Sequence, residues 1–256
     1  PASLHFDLRI AYQELNDISA AYQGARVANR DMRKTMLSLA TIVVVLLVIA
    51  FILRNITVGW APARDQYPVQ GISVDDSNGD ITWHVAGATG VDFAYIRATA
   101  GAEKRDRNFA ANIKGAREAG IRYGAFHSYS LCRLATDQAT NFVTTVPRGE
   151  YMLPPAVRLA FDDECGDRPG RALVLSELNT FLNQIESHSG KPAIIEVSRD
   201  FEELYNISSG IDRTFWLEAN FFPPDYATKP WVMWRASDMR RISGVDGPVN
   251  WNVVRP

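Results

Sequence analysis

The residues best placed to do chemistry are Asp162, Asp163 and Glu164, at the end of the apolar stretch PPAVRLAFDDECG. Neighbouring like charges repel, and carboxylates at the edge of a core lose hydration. Such a cluster calls for a purpose. Read as the end of a strand, side chains alternate, so Asp162 and Glu164 share one side and Asp163 faces the other. Two such carboxyls stand about 6 to 7 Å apart, a separation suited to a pair acting on one glycosidic bond. Repulsion and partial burial would raise the proton affinity of Glu164, as a general acid requires. An acidic strand end also serves as a cap or an ion-pair site, and that reading stands beside the catalytic one.

The elements around this cluster alternate between two periods. VDFAYIRA (91–98), IRYGAFHSY (121–129), AVRLAFDD (156–163), KPAIIEVS (191–198), FWLEA (215–219) and WVMWRA (231–236) read as strands. RNFAANIKGAREAG (107–120), ATDQATNFVTTV (135–146) and ALVLSELNTFLNQIESHSG (172–190) read as helices, two of them closed by glycine. Strand, helix, strand with short joins predicts parallel strands and crossover helices. About eight strands fit, and the last ones lack full helices between them. The expectation is an α/β fold: a modified (β/α) barrel with irregular final strands, its chemistry at the carboxyl ends of the strands.

Ahead of this domain, MLSLATIVVVLLVIAFIL (36–53) has no charge, proline or glycine. At about 1.5 Å per residue it reaches roughly 27 Å, enough to cross a hydrocarbon core. Arg26, Arg30, Arg33 and Lys34 precede it and only Arg54 follows closely, which places the N-terminus in the cytoplasm. The expected division is a cytoplasmic helical segment (1–35), a transmembrane helix (36–54), a linker (55–67) and an outer domain (68–256). In the first segment Leu8, Leu15 and Tyr22 recur every seven residues, either a weak coiled-coil seam or a solvated helix. A net charge of −2 gives no reason to expect nucleic acid. His5, His84, His127 and His188 are scattered, so no metal site and no cofactor are expected.

GISVDDSNGDITW (71–83), VDFAYIRATAG (91–101), IRYGAFHSYSLC (121–132), the acidic strand end and SGVDGPVNWNVV (243–254) occur in an order that resembles the glycoside hydrolase family 25 lysozymes. Those N-acetylmuramidases carry G-[IV]-D-V-S, F-x-[FY]-I-K-A-T-E-G, G-A-Y-H-F, D-x-E at a strand end, W-Q-Y-S and G-x-V-D-x-N-x-F. The resemblance covers residues 70–254 and implies a modified barrel and a peptidoglycan glycan substrate. It matches Asp162 and Glu164 to the D-x-E, with Glu164 as general acid and Asp162 assisting at the other face. It implies a glycan cleft lined by Ser73, Asp75, Tyr95, His127, Tyr129, Trp234 and Asn250. For His127 and Trp234, packing in the core or rim is an equal reading. Some bacterial members have cysteines where Cys132 and Cys165 stand, which implies a disulfide between them. Ser73 and Asn250 stand where the family has aspartates, and Ala100 where it has a glutamate. Two functions follow from the resemblance: an anchored muramidase in a bacterial inner membrane, its catalytic domain periplasmic, or an anchored peptidoglycan-binding module of a cell-envelope assembly with a weakened site. A releasable phage endolysin fits less well, because VVVLLVIAFIL is too apolar to leave a bilayer readily.

Overall fold

A computed structural model describes residues 2–149 and 151–256; the side chains of 2–11 and 27–34 lie outside the description. Leu8 and the basic residues Arg30, Arg33 and Lys34 therefore fall outside it. The chain divides into two compact units, Pro1–Ile56 and Thr57–Pro256.

The first element, α1, is a continuous helix over Ala2–Gly59. Its segment Thr35–Gly59 has a mean hydropathy of 3.1 and is long and apolar enough to cross a membrane. Its side chains are exposed from Thr35 through Ile56, and Thr57 and Val58 are half-buried. Val58, Gly59 and Trp60 belong to the second unit, where the Arg241 amide donates to the Val58 carbonyl at 2.8 Å. Trp60, Ala61 and Tyr67 pack on that unit's core.

The second unit runs β1 (Gln70–Val74), α2 (Trp83–Ala88), β2 (Phe93–Ala100), β3 (Lys104–Arg105), α3 (Phe109–Glu118), β4 (Arg122–Ser128), α4 (Ala135–Thr145), β5 (Ala156–Leu159), α5 (Arg171–Ser189), β6 (Ile194–Val197), α6 (Arg199–Tyr205), α7 (Ile207–Gly210), β7 (Thr214–Glu218), β8 (Trp231–Arg240) and β9 (Val249–Val254). Eight strands close on themselves in the order β1, β2, β4, β5, β6, β7, β8, β9, and β3 is a short hairpin partner of β2. Neighbours from β1 through β8 are parallel, while β9 runs antiparallel to both β8 and β1. The barrel is thus modified in its last strand, as the sequence leads one to expect. No helix joins β7 to β8, for the segment FFPPDYATKP holds three prolines and returns as a loop.

Helix α5 shows why these segments form what they do. Val174, Leu178, Phe181, Leu182 and Ile185 recur at helical spacing and are buried against the barrel, and Gly190 ends the helix in the left-handed conformation at φ 70°. Inside the barrel, Phe93, Tyr95, Phe126, Ile194, Trp216 and Met233 form a separate apolar plug. Two residues further along the strands, the inward positions turn polar.

Candidate active site

Period-two alternation decides what faces the barrel mouth. Stepping two residues on from the plug, the inward positions are Arg97 on β2, Arg158 on β5, Glu196 on β6, Glu218 on β7 and Arg235 on β8. Ser73 on β1 and Asn250 and Asn252 on β9 complete the ring. Arg158 is the centre of it. Its Nε donates to Glu196 Oε2 at 2.7 Å, its Nη2 to Glu196 Oε1 at 3.2 Å and to Ser73 Oγ at 3.4 Å, and it lies over the Phe126 ring. Glu196 is fully buried. Arg235 pairs with Glu218 and reaches Glu196 at 3.7 Å. Burial pushes the Glu218 carboxyl up to about 7; Arg235 opposes that rise and Glu196 adds to it. On the other wall Arg97 binds Asp75 at 3.0 Å, Asp106 at 3.3 Å and Asp76. Burial tends to raise the Asp75 carboxyl, but the Ser77 hydroxyl and Arg97 outweigh it and hold it below the usual carboxylate range.

The acids from which a pair was expected lie elsewhere. Strand β5 ends at Leu159, and Asp162, Asp163 and Glu164 sit beyond it on a turn closed by the Cys165 amide donating to the Asp162 carbonyl at 3.2 Å. All three side chains are exposed, and all three line one cleft of about 550 Å³ with Arg97, Lys104 and Arg133. Strand alternation therefore does not order them, and Asp163 is not turned away from its neighbours. Glu164 lacks the burial that the strand-end reading required. The strand end itself carries Arg158, Leu159 and Ala160. Cys132 and Cys165 are bridged, which ties the loop after β4 to this turn.

The other residues divide into three groups. Ser73, Asp75 and Asn250 meet at the mouth, where Ser73 and Asn250 are directly paired across β1 and β9. Tyr95 lies deeper, inside the plug, with its hydroxyl donating to the Pro154 carbonyl at 3.1 Å. His127, Tyr129 and Trp234 do not line the mouth, because His127 and Trp234 occupy outward positions on their strands and Tyr129, just past β4, packs against α5. His127 is fully buried between β4 and the helices. Its Nε2–H donates to Gln138 Oε1 at 3.1 Å, its Nδ1 accepts from Thr99 at 2.7 Å, and burial lowers its pKa to about 4. Tyr129 packs edge-on against Phe181. Trp234 donates to the Ala219 carbonyl at 2.7 Å and packs on Tyr67 and Trp60. For His127 and Trp234, core packing is the reading the contacts support.

Arg158, Glu196, Glu218 and Arg235 escape a motif-based reading, yet they leave a signal. Each is the one charged residue in a short apolar run, AVRLA, AIIEVS, FWLEA and WVMWRA, toward the carboxyl ends of adjacent strands; Arg158 is level with Glu196 and Glu218 with Arg235, while Glu196 is level with Trp216.

An eight-stranded barrel with its last strand reversed and a polar mouth at the carboxyl ends of the parallel strands belongs to the class of modified β/α barrels, whose ligand sites lie at that mouth. Residues 72–245 match the model of glycosyl hydrolases family 25, and the chain belongs to that family. Lysozyme M1 of Streptomyces globisporus is 27% identical over 207 residues, covering 73% of this chain and 68% of that one. The protein YegX of Escherichia coli K12 is 28% identical over 194 residues, covering 73% and 70%. The structure of a family 25 glycosyl hydrolase from Bacillus anthracis superimposes with a TM-score of 0.70 at 26% identity, over 75% of this chain and 91% of that one.

Proposed function

We propose that the protein is a membrane-anchored, peptidoglycan-directed member of its family that holds glycan strands at the barrel mouth without cutting them. One observation carries this reading. At the carboxyl end of β5, where barrel chemistry is placed, the last inward side chain is Arg158 locked to Glu196, and the residue that follows the strand is Ala160. A guanidinium held by a buried carboxylate cannot give up a proton to a leaving oxygen, and an alanine has none to give. Family membership supports the glycan as ligand. The helix Thr35–Gly59 supports the anchor, and the basic flank before residue 36 supports a cytoplasmic N-terminus in a bacterial inner membrane with the barrel in the periplasm.

A second reading keeps hydrolysis of the β-1,4 bond between N-acetylmuramic acid and N-acetylglucosamine, with Glu164 as acid and Asp162 as its partner. It is favoured by the turn that carries both into the 550 Å³ cleft. The full-length chain in lipid nanodiscs, mixed with purified peptidoglycan, separates the two. We expect co-sedimentation with the wall and no release of reducing ends. Reducing-end release that falls about a hundredfold in Glu164→Gln, with binding retained, would establish the muramidase instead.

A further inference from the structure

Trp216 Nε1 is an unpaired donor in the plug below, and the barrel mouth itself has unused hydrogen-bonding capacity. Its cations are committed: Arg158 to Glu196, Arg235 to Glu218 and Glu196, and Arg97 to Asp75, Asp76 and Asp106. Two acceptors are not. Oε1 of Glu218 and Oδ1 of Asn252 are buried and have no partner. Asn252 is fully buried, and its side-chain amide faces the mouth, where Nδ2 donates to Ser73 Oγ at 3.3 Å. Glu218 and Asn252 flank Arg235 on either side, since β8 pairs Arg235 with Glu218 of β7 and with Asn252 of β9. A buried acceptor left without a donor is costly, so such sites are completed by something that donates.

The charge also has one sign. Five carboxylates at the mouth face three guanidiniums. The adjoining cleft adds Glu103, Asp162, Asp163 and Glu164 against Lys104 and Arg133. The whole chain carries only −2, so the acidic excess is concentrated here.

We infer that the mouth binds an ammonium group of its ligand, with Glu218 and Asn252 as the accepting pair. An ammonium brings three donors, no acceptor and a positive charge, which fits both the open acceptors and the field. A carboxylate is repelled, and an N-acetyl group offers a single neutral N–H to two open acceptors. The inference rests on the glycan-holding reading and names the chemistry that reading leaves open. In peptidoglycan the ammonium comes either from the free amine of a diamino acid in the stem peptide or from an amino sugar without its acetyl group.

Calorimetry on the full chain in nanodiscs at pH 8 tests it. The ligands are muropeptides with a free stem amine and the same muropeptides after chemical acetylation of that amine. A second arm compares glucosamine hexamer with N-acetylglucosamine hexamer at pH 7. We expect acetylation to weaken binding by about tenfold in the arm that carries the natural source. Glu218→Gln removes that difference. Glu118→Gln, which makes the same charge change on exposed α3, preserves it. If Glu218→Gln fails to fold, wild type decides through pH. Burial holds Glu218 at about 7, so muropeptide binding weakens from pH 8 to pH 6 while the amine stays charged. Equal binding of free and acetylated ligands in both arms, or a preference that survives in Glu218→Gln, overturns the ammonium site and leaves glycan binding standing. Absence of binding in every arm overturns both.

Discussion

At the scale of the residue, the mouth is governed by how much charge a barrel buries. Arg158 and Glu196 form a bidentate pair with Glu196 fully out of water, an arrangement that is stable only while both partners remain. Glu218 is the strained member, held by one cation and pressed by a neighbouring carboxylate. Its pKa lies near 7 when folded and near the ordinary 4.5 when unfolded. The folded state therefore keeps a proton that the unfolded state gives up between these values. Stability falls as pH rises from about 4.5 through about 7, and is insensitive to this group below that window. Urea melts across pH 4.5 to 8 should show the decline, and Glu218→Gln should flatten it. A wild-type profile that rises through this window would mean that Arg235 keeps the carboxyl ionised.

At the scale of the element, closure of the barrel rests on the seam between β1 and β2. Gly71 sits opposite Phe93 there, and a methyl group on Gly71 would lie 2.2 Å from the Phe93 carbonyl oxygen and 2.6 Å from its ring. Because the nearest atom is backbone, a rotamer change cannot relieve the clash. Gly71→Ala should cost about 2 to 3 kcal/mol, read from denaturant midpoints. An unchanged midpoint would show that the seam is looser than its register implies. The bridge between Cys132 and Cys165 ties the loops after β4 and β5, closing a span of 33 residues that contains α4 and β5. Replacing both cysteines by serine should cost about 2 to 4 kcal/mol, and dithiothreitol should shift wild type by the same amount and leave the variant unmoved.

At the scale of the whole molecule, the apolar helix bears on where the protein acts. The apolar segment Thr35–Gly59 and the basic residues before it lead us to expect the barrel outside the cytoplasm. Alkaline phosphatase fused after Pro256 should be active in intact cells. An inactive fusion, paired with an active cytoplasmic reporter at the same point, would reverse the topology. A bridged cysteine pair in the barrel agrees with an oxidising compartment.

The sequence alone determined the alternation of strands and helices, because burial of one helix face and both strand faces writes periods of 3.6 and 2 directly into residue order. VDFAYIRA, IRYGAFHSY and the long helix 172–190 appear within two residues of their predicted places. It also determined the membrane-length helix, since an uncharged run of 18 residues has few other uses. The site was a different matter. Whether AVRLAFDD remains a strand up to its acids depends on where β4 and β6 stop offering partners: β4 stops at Arg158 and β6 at Leu159. That one boundary moved Asp162 and Glu164 from the strand end to an exposed turn and left Arg158 facing the mouth. His127 and Trp234 turned outward for the same reason: inward and outward differ by a single residue of register, which only the closed barrel fixes. The charges in AVRLA, AIIEVS, FWLEA and WVMWRA were visible one by one. Only tertiary structure could bring them to one end of the barrel and pair them, because their partners lie on different strands.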